Sequence, residues 1–368
     1  MKKTLAIILI LCMSVGILTG CGVTKLEGES SSPEVSAAPA PTESVQSPAV
    51  VPEGEYDTSA LEPITFKFGF GMSSKLTDAA HEMLADRIEE LSNGKITVER
   101  YLQGQLYSAD ADGSAMVADG TIEMIVMGDM MALNAAPEIC GWTQMPFIFE
   151  NSEQCAEFWA AVSEDVNAKM EEVYNVKVLW DALEMRGPRV IMANKPMLGP
   201  DDFVGTKFRL PSTAATVAAF EALGVSALTS SWSEVYQVMQ TGIAEAVESP
   251  LSNFEAISIW EVCDYAMETN HTYACRAVHV NLDWWNSLDP VYQEIINQAA
   301  VEAFSWYNEQ EANSTEEIIQ KMKDEGMTVY RYDEIDTAGL YEKASAAILE
   351  KYSGEWDIAY YELIQSLK

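Results

Sequence analysis

Three apolar stretches constrain this chain more than any other feature. Thr65-Phe66-Lys67-Phe68-Gly69-Phe70 alternates apolar and polar residues, which predicts a strand. Ile96 to Tyr101 predicts a second. Ile122 to Met127 is almost wholly apolar, the mark of a central strand buried on both faces. Between them lie Asp78 to Leu91, apolar at helical spacing and stopped by Asn93-Gly94, and the shorter helix Ala111 to Ala118, stopped by Asp119-Gly120. A β-α-β-α-β order predicts an α/β chain with a parallel sheet covered by helices. The alternation recurs downstream. Strands are expected at 176–180, 189–193, 207–211, 277–282 and 328–332. Helices are expected at 213–223, 233–240 (Ser233 as N-cap), 290–326 with Ser314-Thr315 as its weak point, and 337–353. No internal repeat is present.

The N-terminus carries an address. Lys2 and Lys3 precede an apolar run from Leu5 to Leu18, then Leu18-Thr19-Gly20-Cys21. A charged start, a short apolar stretch and small residues before a cut define a secretory signal. Leu-Thr-Gly-Cys also resembles the bacterial lipobox, so residues 1–20 are expected to be a lipoprotein signal peptide and Cys21 the lipid attachment site. The run is too short for a membrane-spanning helix. Residues 21–60 are rich in Ser, Pro, Ala and Glu without apolar periodicity. Such a segment cannot bury enough surface to offset its chain entropy, and is expected to be a disordered tether. Folded sequence is expected from 61 to 368, a length that suits two lobes rather than one core.

The formal charge is −35, with 57 Asp and Glu against 22 Lys and Arg, and it approaches −37 once Lys2 and Lys3 leave with the signal. A broad nucleic-acid-binding surface is excluded, and attachment to an anionic membrane should come from the lipid. An anionic ligand would need a local positive pocket. After Cys12 and Cys21, four cysteines remain, with Cys140–Cys155 and Cys263–Cys275 the natural guess among three pairings; free buried thiols are the other reading. There is no C-x-x-C and there are three His, so no metal site or cofactor is expected.

Catalytic motifs fail on inspection. His81-Glu82-Met83-Leu84-Ala85 begins like H-E-x-x-H but lacks the second His, and reads as a surface helix turn. Gly69-Phe70-Gly71 lacks the third glycine of a dinucleotide loop. No nucleophile elbow or P-loop is present. His271 and His279 read as structural. The few cations are more informative. Arg186 and Arg189 flank Gly187-Pro188, and Arg209 ends a short strand just before Pro211. An arginine at a strand end can present its planar fork to a carboxylate. From spacing alone, neutralisation of a nearby Asp or Glu stays equally open.

Gly205-Thr206-Lys207-Phe208-Arg209-Leu210-Pro211, then Ala222-Leu223-Gly224-Val225, Ser233 to Gly242 and Glu248-Ser249-Pro250-Leu251, resemble the DctP-type extracytoplasmic solute receptors of tripartite ATP-independent periplasmic (TRAP) transporters. Asn93-Gly94-Lys95-Ile96, Gly104-Gln105-Leu106, Met145-Pro146-Phe147 and Leu288-Asp289-Pro290 sit in the family's order, so the resemblance covers about residues 62–368. It implies a two-lobed periplasmic-binding-protein-like fold with a ligand cleft and a long connecting helix. Lobe 1 would be about 61–185 plus a returning segment, and lobe 2 about 190–280 plus C-terminal elements. It implies Arg209 as the carboxylate salt bridge, Arg189 as a second cationic position and Trp232 as an aromatic pocket wall. Glu248 and Ser249 fall where the family often has Glu-Asn-Pro, so a shorter hydroxyl replaces an amide that contacts ligand. Phe70, Trp180 and Trp232 are aromatic candidates to stack on a sugar ring, or else core.

The leading expectation is a receptor, not an enzyme, that captures a small organic carboxylate such as a C4-dicarboxylate or sugar acid. It would deliver that ligand to a TRAP membrane permease while lipid-anchored outside the cell membrane. The alternatives are an ABC-type binding lipoprotein, a secreted enzyme on a similar scaffold, or a structural envelope lipoprotein.

Overall fold

The computed structural model describes residues 56–71, 74–107 and 110–367. The export segment, Cys21 and the tether as far as residue 55 lie outside the described residues. Of the described tether residues 56–60, Thr58 is anchored to the folded part, while Asp57, Ser59 and Ala60 are exposed. Thr58 is buried and its hydroxyl donates to the Ser92 carbonyl at 3.0 Å, while Lys95 Nζ donates to the Leu61 carbonyl at 2.9 Å.

Among the described residues eleven strands form two sheets: β1 (Ile64–Gly69), β2 (Ile96–Tyr101), β3 (Met124–Gly128), β4 (Val176–Arg186), β5 (Arg189–Ala193), β6 (Lys207–Leu210), β7 (Ser226–Thr229), β8 (Ala246–Pro250), β9 (Tyr265–Met267), β10 (Ala274–Asn281) and β11 (Thr328–Tyr330). The first sheet has the order β2-β1-β3-β10-β4 and the second β11-β9-β5-β8-β6-β7. The expected parallel core is there, since β1 runs parallel to β2 and β3. Met124 to Met127 are buried, as their unbroken apolar run requires. The sheet is nonetheless mixed. β10 returns from the second sheet and runs antiparallel to both β3 and β4. The first stretch of the second sheet therefore ends at Met267, short of the expected residue 280, because Ala274–Asn281 belongs to the first sheet.

Local signals set the helix ends. Ser74 caps the helix Lys75–Leu91, its hydroxyl accepting from the Thr77 amide at 3.2 Å, and Asn93 and Gly94 take positive φ just beyond it. Ser231, rather than Ser233, holds the entry to the helix Val235–Gln240, its amide and hydroxyl donating to Glu234 at 3.0 and 2.8 Å. Among the described helices that were not expected from the sequence, the two longest are Ser152–Tyr174 and Ile358–Ser366. The first buries Cys155, Phe158, Trp159, Val162, Val166 and Met170, a spacing legible in the sequence.

The helix Pro290–Asp324 is continuous through Ser314-Thr315. Both hydroxyls donate back to the Glu311 carbonyl, at 2.9 and 3.3 Å, so neither needs a break to be satisfied. Its first half packs Ile295, Ala299 and Ala303 into the core of the first sheet. Its second half packs Ile318, Ile319 and Met322 into a core of the second. This helix, the Gly187-Pro188 crossing between β4 and β5, and the return from β9 to β10 join the two sheets.

Cys140, Cys155, Cys263 and Cys275 are all free and buried. The thiol beside Cys275 is Cys155, whose Sγ donates to the Tyr273 carbonyl at 3.8 Å, and not its sequence neighbour Cys263.

Candidate functional site

A cavity of about 350 Å³ is walled by strands of both sheets and by the long helix. That volume falls within the range of small-molecule sites. Arg186, Arg189, Arg209 and Arg276 all line it, four cations in a chain of strong negative charge. Of the residues singled out from the sequence, Arg186, Arg189, Arg209, Trp232 and Ser249 come together on this wall. Phe70 and Glu248 do not line it. They stand behind it.

Two of the arginines are held by buried acids. Glu248, fully buried on β8, receives both Nε and Nη2 of Arg189, the latter at 2.7 Å. His271 Nε2 lies 3.2 Å from the same carboxylate, and its Nδ1 lies 2.8 Å from the Thr269 hydroxyl. A carboxylate can only accept here, so Nε2 carries the proton and Nδ1 accepts from Thr269. Burial keeps His271 below its ordinary value, against the pull of Glu248. Burial alone would raise Glu248, but Arg189 and His271 outweigh it and hold the carboxyl below the usual range.

The first sheet repeats the arrangement. Glu184 of β4 faces Arg276 of β10 in register and accepts from its Nη1. His81 Nε2 lies 2.8 Å from the other carboxylate oxygen. Burial opposes ionisation of Glu184, yet Arg276 and His81 bring it down to about 2. His81 is therefore not on a helix surface, as its place in a failed H-E-x-x-H suggested. It is fully buried, with Phe70 edge-on at 4.1 Å. Phe70 in turn lies 5.3 Å beneath the Arg276 guanidinium, a cation–π distance. Its role is to support a cavity residue from the core.

Arg209 differs. It is buried to 4 % exposure, and its Nη2 and Nε donate to the Ser230 carbonyl and hydroxyl, both neutral acceptors. Among the described residues no carboxylate lies within ion-pairing distance of it. Burial pushes its pKa below the ordinary value. Trp232 flanks it, 6.0 Å from ring centroid to guanidinium. Trp180 is elsewhere, stacked on Trp159 at 4.6 Å in the core.

The sequence reading passed over several wall residues. Asn253 lines the cavity and donates from Nδ2 to the Ser249 hydroxyl at 2.9 Å. An amide is thus present beside Ser249, supplied by the helix Leu251–Ala256 that follows β8. Arg276 and Tyr307 gave no local signal. Glu311, on the long helix, is raised by burial, and it accepts from the Gly187 amide and from Ser252 at 3.4 Å. Among the described residues no group of His, Cys, Asp or Glu is placed to hold a metal ion, and no helix is long and apolar enough to cross a membrane.

Two sheets joined by three crossings, closing on a cation-lined cavity, define a solute-binding protein of the two-lobed kind. Residues 71–355 match the family DctP, bacterial extracellular solute-binding protein family 7, and the chain belongs to that family. It is 29% identical over 275 residues, 73% of this chain and 80% of the relative, to the C4-dicarboxylate-binding periplasmic protein DctP of Rhodobacter capsulatus. It is 26% identical to the 2,3-diketo-L-gulonate-binding periplasmic protein YiaO of Escherichia coli, over 74% of this chain and 83% of the relative. Among solved structures it is similar to a TRAP periplasmic solute-binding protein of Roseobacter denitrificans with bound L-galactonate, at 25% identity and a TM-score of 0.69, covering 83% of this chain and 99% of that one. A TRAP solute-binding protein of Ochrobactrum anthropi shares the fold at a TM-score of 0.74 and 24% identity, over 83% and 95% of the two chains. The chain is accordingly an extracytoplasmic solute-binding receptor of the TRAP type.

Proposed function

We propose that this receptor captures a small organic carboxylate in the arginine-lined cavity and hands it to a TRAP permease, without chemical change. The observation that carries the reading is Arg209: a buried guanidinium on the cavity wall with neutral partners only. A buried charge is costly unless paired and hydrogen-bonded, and a ligand carboxylate supplies the missing partner. Arg189, fixed by Glu248, adds a second donor beside it. Trp232 and the Ser249–Asn253 pair shape the remaining wall. The names of two relatives, one binding C4-dicarboxylates and one a diketo-gulonate, support this ligand class. The sheet of β1–β4 and β10 forms one lobe and the sheet of β5–β9 and β11 the other, with ligand favouring closure by its differential affinity for the closed state. Cys21 tethers the receptor by lipid to the membrane that holds its permease.

The test is a thermal-shift screen of the full-length chain in detergent against small carboxylates, neutral sugars and amines. A carboxylate at a hundred times its Kd adds about 2.7 kcal/mol of stability. It should then be recovered unaltered. Stabilisation by neutral sugars or amines alone would overturn the reading, and conversion of the bound carboxylate would replace the receptor with an enzyme.

A further inference from the structure

Two thiols from distant parts of the chain meet in the core. Cys155 sits in the first turn of the helix Ser152–Tyr174 and Cys275 near the start of β10, at 1 % and 3 % exposure. Side chains alternate along a strand. Arg276 turns to the cavity, so Cys275 and Ala277 turn the other way, into the core that also holds Cys155, Phe158 and Trp159. Cys155 Sγ donates to the Tyr273 carbonyl at 3.8 Å, and Cys275, two residues further on, has that same thiol as its neighbour. Cys263 belongs to a separate core, against the second sheet. Cys140 shares the core with Cys155 and Cys275, but the charges that bear on its thiol are those of Asp129 and Glu138. The two close-in-sequence pairings are therefore not the ones the fold brings together.

We infer that Cys155 and Cys275 become a disulfide in the mature receptor, stapling the start of the helix Ser152–Tyr174 to the strand that carries Arg276. An extracytoplasmic protein folds outside the reducing pool that keeps thiols free. The oxidant is itself a disulfide, that of a thiol-oxidising protein or of oxidised glutathione. One cysteine thiolate attacks an oxidant sulfur, and the other oxidant sulfur leaves as a thiolate. The second cysteine thiolate attacks the mixed disulfide and displaces the remaining oxidant sulfur. Two electrons pass to the oxidant, and the two cysteine protons end on its two thiols. The step belongs to folding. In the finished fold the Cys155 thiol beside it, and then burial, raise the Cys275 thiol, which leaves little thiolate to start the exchange. The same burial shields the finished bond from external thiols. The staple closes a long loop, since 118 residues already separate Cys155 from Tyr273, and long loops constrain the unfolded chain most.

Peptide mapping of the exported, membrane-bound chain tests the inference. The protein is acid-quenched, alkylated under denaturing conditions without reductant, digested and read by mass spectrometry. The map should show Cys155 joined to Cys275, with Cys140 and Cys263 alkylated. The exported chain should also melt about 5 °C or more above the same chain unfolded and refolded under dithiothreitol. That difference should vanish in the variant carrying both Cys155→Ala and Cys275→Ala and persist in Cys263→Ala. Should the double variant fail to fold, the wild-type map decides alone. Four alkylated thiols in the exported chain, a bridge to Cys140 or Cys263, or a melting difference that survives the double variant overturns the staple.

Discussion

Glu248→Gln isolates the role of the acid behind the cavity. Glu248 is fully buried and accepts from Arg189 twice and from His271 once. Glutamine keeps the shape and removes the charge. A charge-assisted hydrogen bond contributes about 1.5–3 kcal/mol and a neutral one about 0.5–1.5, so weakening the two arginine bonds costs about 2–3 kcal/mol. Orphaning one partner of a buried pair costs about 3–5 kcal/mol. The side chain of Arg189 keeps 18% exposure, through which water can reach it, so the lower end applies, about 3 kcal/mol. Urea denaturation reads this as a midpoint lowered by about 1 M for an m-value of about 3 kcal/mol/M. The pH dependence checks the cause. A carboxyl whose folded pKa is depressed contributes stability that is fully present above its unfolded value and is lost as pH falls toward the folded one. The gap between wild type and Glu248→Gln should therefore hold at neutral pH and narrow steadily below about pH 4.5. A difference under about 1 kcal/mol at pH 7, or a gap unchanged into acid, would refute the counter-charge argument.

Arg209→Ala should weaken carboxylate binding by about a hundredfold or more, read by calorimetry, and unchanged affinity would remove Arg209 from the site. His279 is buried and pressed by burial down to about 4, so its contribution is whole above its unfolded value and is lost as pH falls through about 6.5 to 4. His279→Gln should flatten melting temperature across that window if the glutamine packs, and an unchanged slope would exclude His279 as its source. Oxidation by diamide of the partially unfolded chain should join Cys155 to Cys275, since those thiols meet in the fold. Peptide mapping that finds Cys140 joined to Cys155 would contradict that neighbourhood.

How much of this was written in the sequence depends on how far apart its parts lie along the chain. Strands β1, β2 and β3 were legible because period-2 alternation or a continuous apolar run sits between capped helices. Arg209 was legible as an unusual cation ahead of Pro211 at a strand end. Arg276 was not. Its meaning comes from Glu184, 92 residues earlier, and that pairing exists only because β10 returns to lie between β3 and β4. For the same reason His81 looked like a surface residue. Its partner is 103 residues away, and a lone His on a helix carries no mark of the acid it will meet. Phe70 and Trp180 show the limit for aromatics, since a ring's preference for burial does not say whether it will face a core or a cavity.

The two sheets present their arginines in the same way. In each, a strand residue reaches the cavity, a fully buried glutamate fixes it, and a buried histidine occupies the far carboxylate oxygen or shares the near one. Flexible cations pointing into an empty cavity would lose side-chain entropy each time a ligand bound. Cations already clamped from behind lose less, so more of the ion-pair energy reaches affinity. Arg209 lacks that clamp: its donors meet only the Ser230 carbonyl and hydroxyl. A ligand carboxylate there would supply the counter-charge that the fold supplies to Arg189 and Arg276, and Arg209 would gain the most from being filled.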